Sequence, residues 1–434
     1  MELTPELTEQ LTAWRRDFHK YAEPGWTEFR TTSQIIHVLR DLGWDMVYGP
    51  ELHVADERLG VPSAEVLAAA RERAISQGGD PELVEAMGDG FTGVLGILKT
   101  GRPGPVVCFR VDIDSNDLNE NPSDEHRPTA EGFASVNAGA MHGCGHDGHA
   151  AIGLGLATVL TEHKDELTGT VKIIFQPAEE GVRGSHSIVA KGWFDDVDLF
   201  LATHVGAGEG LGNVCTGADK YLASTKFDVE FSGVGAHAGG DPEKGKNALL
   251  AAAAATLNLH AIPRHSAGAS RINVGTFVAG EGRNVVPRKA VIRAECRGAS
   301  SDINDFMFAR AQDVVAGAAR MYDVDYELTI TGKADTALPT PELLPYVHEA
   351  FAHTAGVKNV KDSGGGSGSE DATAMMKRVA ERGGLETYVQ VGMDTPWGHH
   401  TEDFDVDEAC LPIAVAAEAD IALGTAAFLT SIGR

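Results

Sequence analysis

The sequence predicts an α/β protein: a large sheet domain covered by helices, with a smaller ferredoxin-like βαββαβ domain inserted into it. Three observations carry this. Short apolar runs alternate with helical stretches through the first half of the chain, the pattern of buried strands in a helix-covered sheet. Between about 217 and 335 the order changes to strand, helix, strand, strand, helix, strand, which is the ferredoxin-like arrangement. And 434 residues exceed what one core ordinarily serves.

The elements follow in order. Leu7, Leu11, Trp14 and Phe18 recur at helical spacing, and Pro24-Gly25 stop that helix. Ile35, Ile36, Leu39 and Leu42 mark a second. Residues 51–88 are acidic and alanine-rich, with a helix in SAEVLAAARERAISQG, and are expected to form a surface insertion outside the core. PVVCFRV (105–111), VKIIFQP (171–177) and LFLATHV (199–205) read as buried strands, with helices such as AAIGLGLATVLTEHK between them. The inserted domain reads KFDVEFSG, NALLAAAAATLNLHAI, RINVGTFVAG, AVIRAECRG, DINDFMFARAQDVVAGAARMY and DYELTITG. The expected division is therefore 1–216 with 336–434 as one domain and 217–335 as the other. Beyond it come helices, a GGGSGSEDAT loop, the strand TYVQVGM and PWGHHTEDF.

Composition narrows the partners. A net charge of -27 repels phosphates, so neither nucleic acid nor an anionic membrane is expected. No uninterrupted apolar run reaches the roughly 18–20 residues of a membrane span. The N-terminal stretch, with two early acids and no apolar run, does not read as a secretory signal. Five scattered cysteines make no disulfide framework and suit a reducing cytoplasm.

Several clusters can carry chemistry, most of them at predicted strand ends, where open α/β sheets place ligands. CFRVDID carries Asp112 and Asp114. MHGCGHDGHAA carries His142, Cys144, His146, Asp147 and His149. FQPAEEGVRGS carries Glu179 and Glu180, LATHVG carries His204, and GHHTEDF carries His399 and His400. Cysteine and histidine this dense are rare without a metal, and mixed with carboxylates they suit zinc, manganese or cobalt. HExxH and paired CxxC are absent, which removes zincin and zinc-ribbon readings. Of two adjacent glutamates, one can be held as an anion by a cation while its neighbour takes a proton from water. The chemistry implied is hydrolysis.

HGCGHDGH, QPAEEGVRG, THVG, GVGAHAG, GRNVVP, GSEDAT and GHHTEDFDVDE, in that order, resemble the M20 metallopeptidase and amidohydrolase family across essentially the whole chain. The cysteine in GCGH is similar to the branch that deacylates N-acyl amino acids. The resemblance implies that Cys144, His146, Glu180, His204 and His400 hold two divalent ions, manganese or zinc. His400 is preferred because Phe404 follows at the family's spacing, and His399 is the alternative. It implies Glu179 as general base and His237 as an oxyanion-stabilising residue reaching a partner subunit's site from a lid and dimerisation domain. Asn284 and Arg297 would contact the substrate's amide and carboxylate. Asp112, Asp114 and Asp147 would orient ligands, with His142 and His149 as shell or packing residues. Glu370 and Asp371 either face substrate or cap the following helix, and Trp397 either stacks on an aromatic acyl group or packs in the core. The implied reaction is amide hydrolysis of small N-acyl or N-aroyl amino acids of the p-aminobenzoyl-glutamate kind, by a homodimer or a heterodimer with a related chain. An aryl aminohydrolase acting on a nitro-aminobenzoate-type carboxylate is the alternative. A non-catalytic partner chain is a third reading, against which the retained Glu179 argues.

Overall fold

The apolar runs become the centre of an eight-stranded sheet in the computed structural model, which describes residues 1–206, 210–366 and 368–434. Ser367, in the glycine-rich loop, lies outside the described residues. The chain divides into two compact units, Met1–Lys220 with Ala337–Arg434, and Tyr221–Thr336.

In chain order the strands are β1 (Asp45–Tyr48), β2 (Val94–Lys99), β3 (Val106–Asp112), β4 (Thr170–Gln176), β5 (Leu199–Val205), β6 (Asn213–Cys215), β7 (Ala223–Ser232), β8 (Ser270–Ala279), β9 (Lys289–Gly298), β10 (Asp325–Ala334), β11 (Asn359–Lys361) and β12 (Leu385–Val391). The first unit's sheet has the order β1-β2-β4-β3-β5-β12-β6-β11. Its central strands β4, β3, β5 and β12 are parallel, with Asp112 opposite Gln176 and His204 opposite Gln390. Their carboxyl ends therefore share one edge. The chain leaves β3 for β4 on one side and then β5 on the other, a topological switch point that opens a crevice at that edge.

The helix His146–Glu162 is buried along nearly its whole length and packs on β3, β4 and β5. Gly153 allows the approach: a Cβ there would lie 2.6 Å from the Phe175 ring and 2.8 Å from a Val111 methyl. The helix starts four residues before the AAIGLGLATVLTEHK expectation, because Gly145 turns the chain at φ +96 and the helix begins directly after it. His146 and His149 thus stand on the first turn, side by side one turn apart. The helices Pro5–Lys20 and Cys410–Ser431 pack against this helix. The stretch Glu408–Ser431 is long and apolar enough to cross a membrane by length and composition, but most of it is buried inside the unit.

One expectation fails. Residues 51–88 are not a surface insertion outside the core: Leu67, Ala70, Ala74, Leu83, Val84 and Met87 are buried in the same cluster as Ile35, Ile36 and Leu39. The helix Ala64–Ser76 buries Leu67, Ala70 and Ala74 and packs on the helix Phe29–Asp41, which alanine count alone did not reveal.

The second unit has the sheet order β10-β7-β9-β8 with antiparallel neighbours, and the helices Ala248–His260 and Ser301–Met321 pack on it. This is the ferredoxin-like order. β7 and β9 alternate buried with more exposed residues, as strands with one covered face do. Phe227, Val229, Phe231, Ile292, Met307 and Val315 fill the space between sheet and helices.

Glu418, in the middle of the C-terminal helix, is fully buried and accepts a 2.6 Å hydrogen bond from Thr203 Oγ1. Burial pushes its carboxyl up to about 7 from an ordinary 4.5. The folded state thus binds this proton more tightly than the unfolded one, so Glu418's contribution to stability is full below pH 4.5 and is lost as pH rises through about 7. Glu418→Gln should remove this slope and stabilise the protein at pH 8 by on the order of 2–3 kcal/mol, with little effect at pH 4.5. Urea melts at the two pH values check it; equal effects at both would contradict it.

Candidate metal centre

Side chains from five separate stretches converge at the carboxyl edge of β3, β4 and β5. Cys144 lies between two histidine positions, with Sγ 3.5 Å from His204 Nε2 and 3.5 Å from His399 Nδ1. On its other side are Glu180 and His400, with His400 Nε2 3.2 Å from Glu180 Oε1. Donor atoms of Cys144, His204 and His399 come within 4.8 Å of one another, as do those of Cys144, Glu180 and His400, of His146, His149 and His204, and of Asp112, His146 and Glu179. Both C-terminal histidines thus flank the thiol. Backbone strain collects here: Ala178, Val182 and His400 have φ of +54, +59 and +62, a region non-glycine residues adopt at a cost of order 1–3 kcal/mol.

The hydrogen bonds around the cluster leave particular atoms to face a cation. His146 turns Nδ1 to the Asp114 carbonyl at 3.0 Å, and its buried Nε2 has no hydrogen-bond partner. His204 donates from Nδ1 to the Val205 carbonyl at 2.7 Å, which turns Nε2 toward Cys144. His149 is different. Its Nε2 accepts from the Val205 N–H at 2.9 Å and its Nδ1 faces Asp112 Oδ1, so both nitrogens are engaged. Asp114 grips both glutamates by their backbone, accepting from Glu179 N at 3.0 Å and Glu180 N at 2.9 Å. Asp147 is paired instead with Arg15 and His19, each at 2.8 Å. An orphaned buried imidazole nitrogen and a Glu180 Oε1 without hydrogen-bond geometry, beside a thiol, form a donor set that fits a divalent cation.

Charge sorts the two glutamates. Burial raises Glu180, but the His400 and His146 rings outweigh it and bring the carboxyl down to about 2. For Glu179, burial acts first and the carboxylates of Glu370, Glu180 and Asp371 add to it, holding it well above the usual range. The histidines divide likewise. Cys144 and Glu180 push His400 up to about 10, whereas burial beside His400 lowers His399 to about 4.

Behind Glu179 lies a network of which the sequence pointed only to the acids. Arg110, wholly buried within β3, donates to Gln176 Oε1, Asp112 Oδ2 and Glu370 Oε1, each at 2.8 Å, and to Asp371 Oδ1 at 3.4 Å. Tyr388 donates to Glu370 Oε2 at 2.6 Å. Arg110 could have been found as a charged residue inside an otherwise apolar strand, since a buried guanidinium must be paired. Tyr388 carried no such signal. Asp371 stands at the head of the helix Ala372–Glu381 but its side chain does not cap it. It instead accepts from Gly184 N and Ser185 N at the start of the helix Ser185–Ala190. The Glu370 side chain accepts from Ala372 N.

The remaining candidates stand in the second unit. His237 is exposed, and its Nδ1 accepts from Gly239 N and Gly240 N at 3.1 and 3.0 Å. The backbone pairs His237 with Val285, and Ala238 N donates to the Asn284 carbonyl, so GVGAHAG and GRNVVP lie together. Arg297 is not with them. It sits near the far end of β9, with Nε 3.0 Å from Glu295 Oε1.

Comparison with known proteins gives a consistent set of similarities. Residues 108–423 match peptidase family M20/M25/M40. The chain is 51% identical over 423 residues to the indole-3-acetyl-aspartic acid hydrolase of Enterobacter agglomerans, covering 97% of each. It is 50% identical over 418 residues to one of the subunits of the p-aminobenzoyl-glutamate hydrolase of Escherichia coli strain K12, covering 96% of each. The crystal structure of an aminobenzoyl-glutamate utilization protein from Klebsiella pneumoniae aligns with a TM-score of 0.86 at 47% identity over 96% of both chains.

Asp114 supports the cluster through hydrogen bonds to His146 and to both glutamate amides. Asp114→Asn puts an amide donor against one of those N–H groups. It should weaken divalent-cation affinity by about 10- to 100-fold in calorimetric titration. Unchanged affinity would show that these bonds do not organise the cluster.

Proposed function

The chain belongs to peptidase family M20/M25/M40 and is a hydrolase of amide C–N bonds, and from that premise we propose that it cleaves small N-acyl or N-aroyl amino acids. The relatives named for indole-3-acetyl-aspartic acid and p-aminobenzoyl-glutamate support a conjugate of an acidic amino acid, with p-aminobenzoyl-glutamate as the leading candidate. The observation that carries the mechanism is geometric: Cys144, Glu180 and His400 bring donor atoms within 4.8 Å of one another, and Glu179 stands as close to His146 and Asp112.

In this reading Cys144, His146, Glu180, His204 and His400 hold two divalent ions, manganese or zinc, with His399 near enough to Cys144 to replace His400. Bound there, such ions acidify water and polarise the scissile carbonyl. Glu179 takes a proton from the attacking water on one carboxylate oxygen and delivers it to the leaving amine nitrogen. Water is thereby divided between a carboxylic acid and a free amine. Asp114 holds the Glu179 backbone in place through the cycle, and Arg110 holds Glu370 behind it.

His237 accepts at Nδ1, so its neutral ring carries the proton on Nε2, the donor an oxyanion would need. Supplied to a second chain with Asn284 beside it, that donor would complete the site, in a homodimer or with a related chain. The Escherichia coli relative is named as one component of a hydrolase, which supports an assembly of more than one chain. Arg297 would meet a substrate carboxylate by exchanging Glu295 for it. The five unpaired cysteines support a cytoplasmic setting.

Glu179→Gln should retain bound cation, measured by elemental analysis, while turnover of p-aminobenzoyl-glutamate falls by about 10²- to 10⁴-fold. Full turnover would remove Glu179 as the base. A substrate panel including nitro-aminobenzoates tests the reaction class, since release of an amine from these and not from N-aroyl amino acids would make the enzyme an aryl aminohydrolase.

A further inference from the structure

The segment 393–398, which leads into His399, forms a wall that the hydrolytic chemistry leaves unused. Trp397, offered by the sequence as either a stacking surface or a core residue, is 49% exposed and outside the core. A cavity of about 520 Å³ is lined by Gly206, Met393, Asp394, Pro396, Trp397 and His399, among others. A second, of about 480 Å³, lies against the same Asp394–Trp397 ridge. The first borders the hydrolytic cluster through His399, which lines it and stands 3.5 Å from the Cys144 sulfur. Both volumes fall in the range that holds small ligands.

The lining shows what the first cavity would take. Gly206 has φ +85, and a Cβ there would lie 2.7 Å from His399 Nε2 and 2.9 Å from Met393 Cε. A bare glycine therefore lets both side chains line the space. Methionine, proline and tryptophan offer flat, polarisable surface for an aromatic ring. Among the described lining residues there is no lysine or arginine, and the carboxylate is that of Asp394, anchored by Leu211 N–H to Oδ1 at 2.9 Å. Such a pocket repels a carboxylate and accepts a hydrogen bond. The substrates named for the two relatives share a matching part, an aromatic ring bearing an N–H group, at the end away from their carboxylates.

We propose that this cavity receives the aromatic acyl group of the substrate, with Trp397 stacking on the ring and Asp394 accepting from its N–H. The amino-acid carboxylates lie outside it. The proposal rests on the amide-hydrolase reading above and narrows it to N-aroyl and arylacetyl amino acids whose ring carries a hydrogen-bond donor.

The test compares wild type, Trp397→Ala and Asp394→Asn on N-(4-aminobenzoyl)-L-glutamate, N-benzoyl-L-glutamate and N-acetyl-L-glutamate, with 4-aminobenzamide binding measured by calorimetry. Trp397→Ala should raise KM for both aroyl substrates about tenfold or more, leaving kcat and the N-acetyl reaction unchanged. Asp394→Asn should raise KM for the aminobenzoyl substrate alone. 4-Aminobenzamide should bind wild type and lose about tenfold in affinity with Trp397→Ala. Equal losses on N-acetyl and N-aroyl substrates, or fragment affinity indifferent to Trp397, would overturn the pocket. A wild-type protein that binds the fragment through Trp397 yet cleaves none of the three conjugates would keep the pocket and sink the substrate reading instead.

Discussion

One guanidinium, Arg110, is the constraint on which the catalytic edge of the sheet depends. It is buried in β3, and its four partners are the side chains that must stand there without solvent: Asp112, Gln176, Glu370 and Asp371. Taking any of these acids into the interior unpaired would cost several kcal/mol, and Arg110 is the charged partner that Asp112, Glu370 and Asp371 share. Asp112, fixed by Arg110, orients His149, and His149 in turn accepts the Val205 N–H beside His204. A charge pair inside one strand is thereby linked, through the His149 ring, to the backbone of the neighbouring strand.

The second constraint is directional. Because β4, β3, β5 and β12 run the same way, the residues that follow each strand emerge at one edge, however far apart they are in sequence. Cys144 and His146 join them from the turn into the buried helix, and His399 and His400 from beyond β12. Three left-handed non-glycine residues absorb the strain of bringing loops so close. The cluster is a meeting of loops on a rigid frame, as strand-end sites are.

A third layer separates structural acids from those facing the cluster. Asp147 lies next to His146 in sequence and has the same chemistry as Asp114. Arg15 and His19 of the N-terminal helix claim it, tying that helix to the cluster's first turn. Asp405 and Glu408 share Arg15 from the C-terminal side. The segment that follows His399 and His400 is thus held by ion pairs to the guanidinium of Arg15.

The sequence by itself determined the α/β class, the ferredoxin-like insertion and the dense group of metal-ligating residues. Each rests on local periodicity or on residue types too rare together to be accidental, and such signals survive without knowledge of distant contacts. It also supplied every atom of the cluster around Cys144. Only the tertiary structure decided how these atoms are used. Which histidine nitrogens face the cluster follows from partners far along the chain, such as Asp114 for His146 and Val205 for His149. The packing of residues 51–88 into the core, the claim of Arg15 on Asp147 and the cap that Asp371 gives a foreign helix depend equally on through-space neighbours. Hydrogen bonds and ion pairs act over a few ångströms of space, and the linear order of the chain does not encode that distance.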